Sequence, residues 1–163
     1  MPKALICYYS VTGNTEKMGL EIGKVLKEEG LIVDIKKLED TSIDELPNYD
    51  CLIVGSPTYY GSMAWPIKKL LDESVKFHGK LCGRVGGAFS TSANVGGGNE
   101  TTILSILEAL LIHGMVICGD HIGDHFGPVS IGEPGKRDLE SCESYAKSVA
   151  TLVKKLFPCA TLV

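Results

Sequence analysis

Ser10, Thr12, Asn14 and Thr15 set four hydroxyl or amide side chains around one glycine, Gly13, with Val11 between them and no cation before Lys17. Such a set offers hydrogen-bond donors without adding charge. It follows the apolar run KALICYY, which reads as a buried strand. It precedes Met18, Ile22, Val25 and Leu26, which share one helical face. Backbone N–H groups left free at the start of that helix point toward the same loop. The chemistry that suits this place is the holding of a small anion, a phosphate above all. Gly13 lets the backbone curl close to such a ligand. The same residue types are also good helix N-caps. Their density just after the first strand favours the anion.

Other phosphate chemistries fail on single residues. A P-loop needs Gly-Lys-Ser/Thr, and Gly13 is followed by Asn14. The dinucleotide fingerprint G-x-G-x-x-G is absent from this loop. A Cys-x5-Arg phosphatase starting at Cys7 would need arginine where Gly13 stands. A receiver domain would need carboxylates where Tyr8, Tyr9 and Ser10 stand.

Two further stretches have unusual chemistry. In Pro57-Thr58-Tyr59-Tyr60-Gly61 adjacent aromatics follow an apolar strand, and Pro57 and Gly61 fix the loop's shape. Those rings could flank a planar ligand and exclude water, or cover the helix below. From Thr91 to Gly98 the chain carries three consecutive glycines, Gly96 to Gly98. They suit close backbone approach to a flat ligand, or a flexible loop. Thr101 is placed to cap the helix that follows. His113 ends that helix, where an imidazolium is favoured. His121 and His125, with Asp120 and Asp124, lie in a glycine-bearing loop with no helix to organise them, which argues against a metal site.

The elements that must position these loops alternate between strand and helix. Strands are expected at KALICYY, LIVDIKKL, CLIVGS, LCGRVGGAFS and MVICG, with a long polar loop from Asp120 to Gly135. The intervening helices bury Ile67, Leu70, Leu71 and Ser74, then Ile103, Ile106, Leu107, Leu110 and Leu111. The last one carries Leu139, Cys142, Ala146, Val149, Val153 and Leu156. Mostly apolar strands alternating with helices predict a parallel sheet covered on both faces, an α/β three-layer sandwich of order 2-1-3-4-5. The three loops all leave carboxyl ends of strands, where such sheets bind ligands.

The 163 residues fit one domain, 1–163, with 44% hydrophobic and 22% charged residues. A net charge of −4 argues against a nucleic-acid surface. No stretch has the length of a membrane span, and no signal peptide is expected. The six cysteines are widely spaced, and Cys7, Cys51 and Cys118 are expected to be buried thiols, as in a reducing cytoplasm.

Taken together, YYSVTGNTEKM, GSPTYYGSMAWPIKKLLDE and FSTSANVGGGNETTILSILEALLIHGMVICG resemble the flavodoxin-like superfamily. Within it they are most similar to the NAD(P)H:quinone oxidoreductases of the tryptophan-repressor-binding-protein type, and GPVSIGEPGKRDLESCESYAKSVA is similar too. The resemblance implies a flavodoxin-like fold and FMN. Ser10, Val11, Thr12, Gly13, Asn14 and Thr15 would hold the 5′-phosphate. Pro57, Thr58, Tyr59, Tyr60 and Gly61 would border the ring. Ser92, Ala93, Asn94, Val95, Gly96 and Gly97 would line its other edge. His113 and Tyr60 would shape the reacting face, with NAD(P)H as transient co-substrate and a quinone-like acceptor. The alternative is a flavodoxin-type electron carrier that meets redox proteins; a fold that binds a partner and no flavin is a third. A homodimer or homotetramer is implied. The resemblance departs at ESVKFHGK, which is short and carries Phe77 and His78, and at the short LEDTSIDELPNYD.

Overall fold

The computed structural model describes residues 1–158, so Cys159 lies outside the described residues. Five parallel strands form the body of the sheet: β1 (Lys3–Tyr8), β2 (Ile32–Lys37), β3 (Cys51–Tyr59), and, beyond the short β4 (Ser62–Met63), β5 (Val85–Ser92) and β6 (Val116–Ile117). Their order is β2-β1-β3-β5-β6, which is the expected 2-1-3-4-5 once β4 is set aside. β4 is antiparallel to the end of β3, and β7 (Val129–Ile131) adds a seventh strand, parallel to β5.

Alternation along the strands builds two cores. Ala4, Ile6 and Tyr8 of β1 and Cys51 and Ile53 of β3 face α1 (Asn14–Glu28) and α4 (Lys136–Leu156). Leu5 and Cys7, with Leu52 and Val54, face α2 (Trp65–Glu73) and α3 (Asn99–Ile112). Strands buried on both faces read as continuous apolar runs, which is why they were legible. Leu111 and Leu156, at the margins of their stripes, point outward.

The far edge departs from expectation. MVICG contributes only the two residues of β6, paired with Val85 and Gly86. Residues 118–128 then leave the sheet, and β7 resumes pairing beside Ser90, Thr91 and Ser92. Between them the edge of β5 is closed by other means. The Tyr145 hydroxyl accepts from the Ala88 N–H at 3.2 Å. Gly127 comes so close that a Cβ there would lie 2.2 Å from the Ala88 carbonyl oxygen. The polar loop expected over 120–135 therefore contains a strand.

Cys7, Cys51 and Cys142 are buried, whereas Cys118 is half-buried because the chain leaves the sheet just before it, and Cys82 is exposed; all five are free thiols. No helix among the described residues is long and apolar enough to cross a membrane.

Candidate functional site

β1, β3 and β5 end side by side, and the segments leaving them meet in one groove of about 340 Å³. Val11, Thr12, Asn14 and Thr15 come from the first, Pro57, Thr58 and Tyr59 from the second, Thr91, Ser92 and Ala93 from the third, and Gly132 from beyond β7.

The first segment is a helix N-terminus with a built-in support. The Ser10 hydroxyl accepts from the N–H groups of Gly13 (3.2 Å) and Glu16 (3.3 Å), bracing the first turn of α1 although Gly13 is its N-cap. Its own proton remains to be donated. The N–H groups of Asn14 and Thr15, at the start of α1, have no intrahelical acceptor. Gly13 has φ 89°, and a Cβ there would meet nothing within 4 Å. Glycine suits the left-handed backbone, which costs other residues about 1–2 kcal/mol, and leaves the space beside it open. The Thr15 hydroxyl is buried and lies 2.9 Å from Thr91 Oγ1, so one hydrogen bond ties the start of α1 to β5.

The second segment is a hairpin, not the loop expected. Pro57 to Tyr59 extend β3, and Thr58 pairs with Met63. The turn residues Tyr60 and Gly61 have φ 51° and 77°. Two left-handed residues in a two-residue hairpin connection make a type I′ turn, whose twist matches that of the strands. Tyr60 is the sole non-glycine with positive φ among the described residues, and its side chain is fully exposed at the tip. Tyr59 is 46% exposed and lines the groove. The hairpin is tied to the start of α3, where Thr101 Oγ1 donates to the Gly61 carbonyl at 2.6 Å. Gly98, not Thr101, is the N-cap of α3, and Thr101 lies inside its first turn.

Of the third segment, Thr91, Ser92 and Ala93 line the groove. Asn94 to Gly97 form a turn closed by Gly97 N–H to the Asn94 carbonyl (3.0 Å), with Val95 exposed on the rim. Thr91 lies in the segment expected to face a ligand but not among the expected ring contacts, and Gly132 lies outside every expected segment. Thr91 belongs to β5 rather than to a loop, and Gly132 reaches the groove by donating its N–H to Ser92 O at 2.8 Å. Recognition of β7 as a strand beside β5 was the missing signal.

Uncharged groups make the floor. Thr58 Oγ1 lies 3.1 Å from Ser90 Oγ, and Thr102 Oγ1 donates to Thr58 Oγ1 at 3.0 Å. No lysine or arginine among the described residues lines the groove; Lys17, in the first turn of α1, is paired with Glu133 at 3.1 Å. Glu16 accepts from the Tyr8 hydroxyl at 2.9 Å, and burial followed by that contact pushes the phenol's pKa up, keeping it protonated. A phosphate dianion here would meet helix N–H groups and hydroxyls, and no cation. The residues fit the phosphate of a flavin nucleotide by donor type.

His113 is not brought to the site. It caps the carboxyl end of α3, whose 14 residues set it about 20 Å from Gly98. Its Nε2 lies 2.7 Å from Ser74 Oγ. That hydroxyl has one proton, directed to Leu71 O at 2.6 Å, so Nε2 carries the hydrogen and Nδ1 is a bare, buried acceptor without a partner among the described residues. Burial, and then His78, lower its pKa from the ordinary 6.5. The folded protein thus resists a proton that the unfolded chain accepts. Stability from this source is complete above about pH 6.5 and declines as pH falls through it toward the lower folded-state value. The loss of Tm between neutral and mildly acidic pH is expected to be shallower in His113→Gln, which keeps a donor to Ser74. Parallel curves for the two proteins would contradict the assignment.

His121 and His125 sit in the segment between β6 and β7, where the work is structural. Asp120 accepts from Ile122 N–H at 2.9 Å, and His125 Nδ1 lies 2.8 Å from Asp120 O. Asp124 pairs with Arg137 and accepts from Val129 N–H at 3.1 Å.

Comparison with known proteins agrees with this geometry. A family model described as Flavodoxin matches residues 6–126. A flavodoxin of Clostridium saccharobutylicum is 33% identical over 162 residues, covering 95% of this chain and 99% of that one. An NAD(P)H dehydrogenase (quinone) of Azorhizobium caulinodans is 36% identical over 199 residues, covering 96% and 100%. The crystal structure of a WrbA-like flavodoxin protein from Agrobacterium tumefaciens superposes with TM-score 0.81 at 25% identity, covering 95% and 99%.

Proposed function

The chain belongs to the flavodoxin family, and on that premise we propose that it is an oxidoreductase holding FMN in the groove at the carboxyl ends of β1, β3 and β5. One observation carries the reading: three segments, distant in sequence, meet there and present only uncharged donors. FMN bound in this place supplies the hydride and electron chemistry.

The residues contribute binding, orientation and exclusion of water. The N-terminus of α1 favours a phosphate dianion through its free N–H groups and its dipole. Ser10, its oxygen already braced by two N–H groups, has a proton to give the phosphate. Pro57, Thr58 and Tyr59 border one side of the ring, and Ser92 and Ala93 the other. Asn94 to Gly97 set the height of that second wall. Tyr60, raised on the turn, brings a hydroxyl to the rim beside that of Tyr59, while His113 of the same chain stands at the far end of α3.

The donor in this reading is NADH or NADPH and the acceptor a quinone-like molecule. The rim supports it: Val11, Tyr60 and Val95 are exposed and apolar or aromatic, a surface for small flat molecules more than for a charged protein partner. One domain, 1–163, carries the function, in the cytoplasm, where free thiols such as the five described persist. A second reading, electron transfer to redox proteins without a substrate of its own, is favoured by the alignment lengths. The flavodoxin relative needs only 162 positions, against 199 for the quinone dehydrogenase.

Anaerobic NADH or NADPH is expected to bleach the visible absorption of the FMN-loaded protein, and added quinone to restore it. Bleaching by dithionite but by neither nicotinamide would replace the enzyme with the carrier. A chain that takes up no FMN would end both.

A further inference from the structure

A second groove, of about 480 Å³, lies between the head of α2 and the 3₁₀ turn Leu38–Asp40 that follows β2. It shares no lining residue with the flavin groove, and the function proposed so far does not use it. We propose that it is a binding site for a small organic cation, one that carries its positive charge on a quaternary ammonium. The assignment rests on this groove alone and stands apart from the flavin.

Trp65 is the chain's one tryptophan, and it is 71% exposed at the first position of α2. An indole left in water forgoes one of the largest apolar burials open to a side chain. The rest of the groove is preformed. Tyr9, Leu38 and Ile43 are half-buried against the core that faces α2 and α3, and Leu70 belongs to that core. Indole and phenol rings are negative on their faces and attract a cation placed over them, the indole most strongly. The chain's own cations do not serve these two rings: the cation–π contacts among the described residues are Lys3 on Tyr49 and Lys76 on Phe77.

Charge selects the ligand further. Trp65, Lys69 and Glu73 follow one another at four-residue spacing on one face of α2. Lys69 lies 3.8 Å from Glu73, so the one cation of the lining is balanced there, a turn further from the indole. Glu39 adds a carboxylate that is not balanced, because Lys36 and Lys37, its nearest cations in sequence, pair with Glu45 and Glu16. Two glutamates and one lysine leave the lining with a net negative charge beside two aromatic rings. That charge repels an anion and gives a neutral ligand nothing. A divalent metal ion takes oxygen or nitrogen ligands, and no group of three ligating side chains fit to hold one occurs among the described residues. A primary ammonium or a guanidinium needs an acceptor for each N–H, whereas Leu38, Ile43 and Leu70 offer side chains with none. A quaternary ammonium has no N–H to satisfy. Its alkyl groups pack on the apolar floor and the rings, and its charge meets Glu39.

The single indole gives a single reporter. Choline and 3,3-dimethylbutan-1-ol, which have the same shape and differ in the charge, are titrated into the full chain at constant ionic strength. Choline is expected to shift the Trp65 indole N–H resonance saturably, while the amides of Ser92 and Ala93 in the flavin groove stay in place. The uncharged alcohol is expected to bind about tenfold more weakly, the worth of a cation held on an aromatic face, and so is ethanolamine, a primary ammonium. Glu39→Gln, a change at an exposed position, is expected to weaken choline about threefold or more and to leave the alcohol as it was. The proposal is overturned by an indole that ignores choline, by equal binding of choline and the alcohol, or by ethanolamine binding as tightly as choline. Shifts confined to Ser92 and Ala93, or undiminished choline binding in Glu39→Gln, would overturn it too. FMN uptake is read separately from the colour of the protein: a colourless chain that still binds choline removes the flavin reading and keeps this site.

Discussion

Gly98→Ala is expected to destabilise the protein by about 3 kcal/mol, lowering Tm by roughly 6–12 °C, and to weaken FMN binding. Two costs coincide at this position. Its φ is +96°, a conformation that a Cβ disfavours, and that Cβ would lie 2.6 Å from Gly61 Cα. The neighbour is backbone, so no side-chain rotation relieves the clash. The hairpin must move off α3, breaking the Thr101 hydrogen bond to Gly61 and carrying Tyr59 and Tyr60 with it. Gly96→Ala provides the comparison, because Gly96 has φ +65° but open space around it. It should show the conformational cost alone, about 1 kcal/mol, with little change at the groove. Thermal unfolding of both apo-proteins, with FMN fluorescence titration, separates the cases. Equal losses for the two variants would mean that the hairpin and α3 do not touch.

This contact also shows what could and could not be read from the sequence. The glycine run was visible as unusual, but one of its uses, inside the fold itself, was not. Gly96 and Gly97 make a turn beside the groove, in which a Cβ on Gly97 would lie 2.8 Å from Asn94 O, and Gly98 must be small for the backbone of the hairpin. The parallel sheet was legible because each central strand is apolar on both faces. The hairpin was not, because its turn is Tyr-Gly where the pattern for a type I′ turn favours Asn or Asp before glycine. β7 was missed for its length, three residues inside a polar stretch, and with it Gly132. His113 is set apart from its own chain's groove by simple geometry. Its neighbours resemble a family motif, but a helix of 14 residues that starts at the groove must end at the other side of the sheet. Motif resemblance says which residues recur; only the rise of the helix says where they arrive.

Asn14→Asp sets two consequences of one helix terminus against each other. Asn14 is the first residue of α1 and lines the groove, and the change is nearly isosteric. A carboxylate in the first turn of a helix interacts favourably with its dipole, so the apo-protein should keep or slightly raise its Tm, by an interaction of about 0.3–1 kcal/mol. The same charge faces the place assigned to the phosphate, where no cation compensates, since Lys17 is engaged by Glu133. Like charges about 4 Å apart in a partly buried site repel by some kcal/mol, so FMN affinity is expected to fall about 100-fold or more. Added salt should recover part of the loss. Riboflavin, which has the ring and no phosphate, should bind wild type and variant within a factor of about 3, a difference smaller than 1 kcal/mol. This contrast tests the phosphate assignment separately from the ring's. An equal loss of both ligands would mean that Asn14 acts through the ring or through folding, and the phosphate would then have to lie elsewhere than at the start of α1.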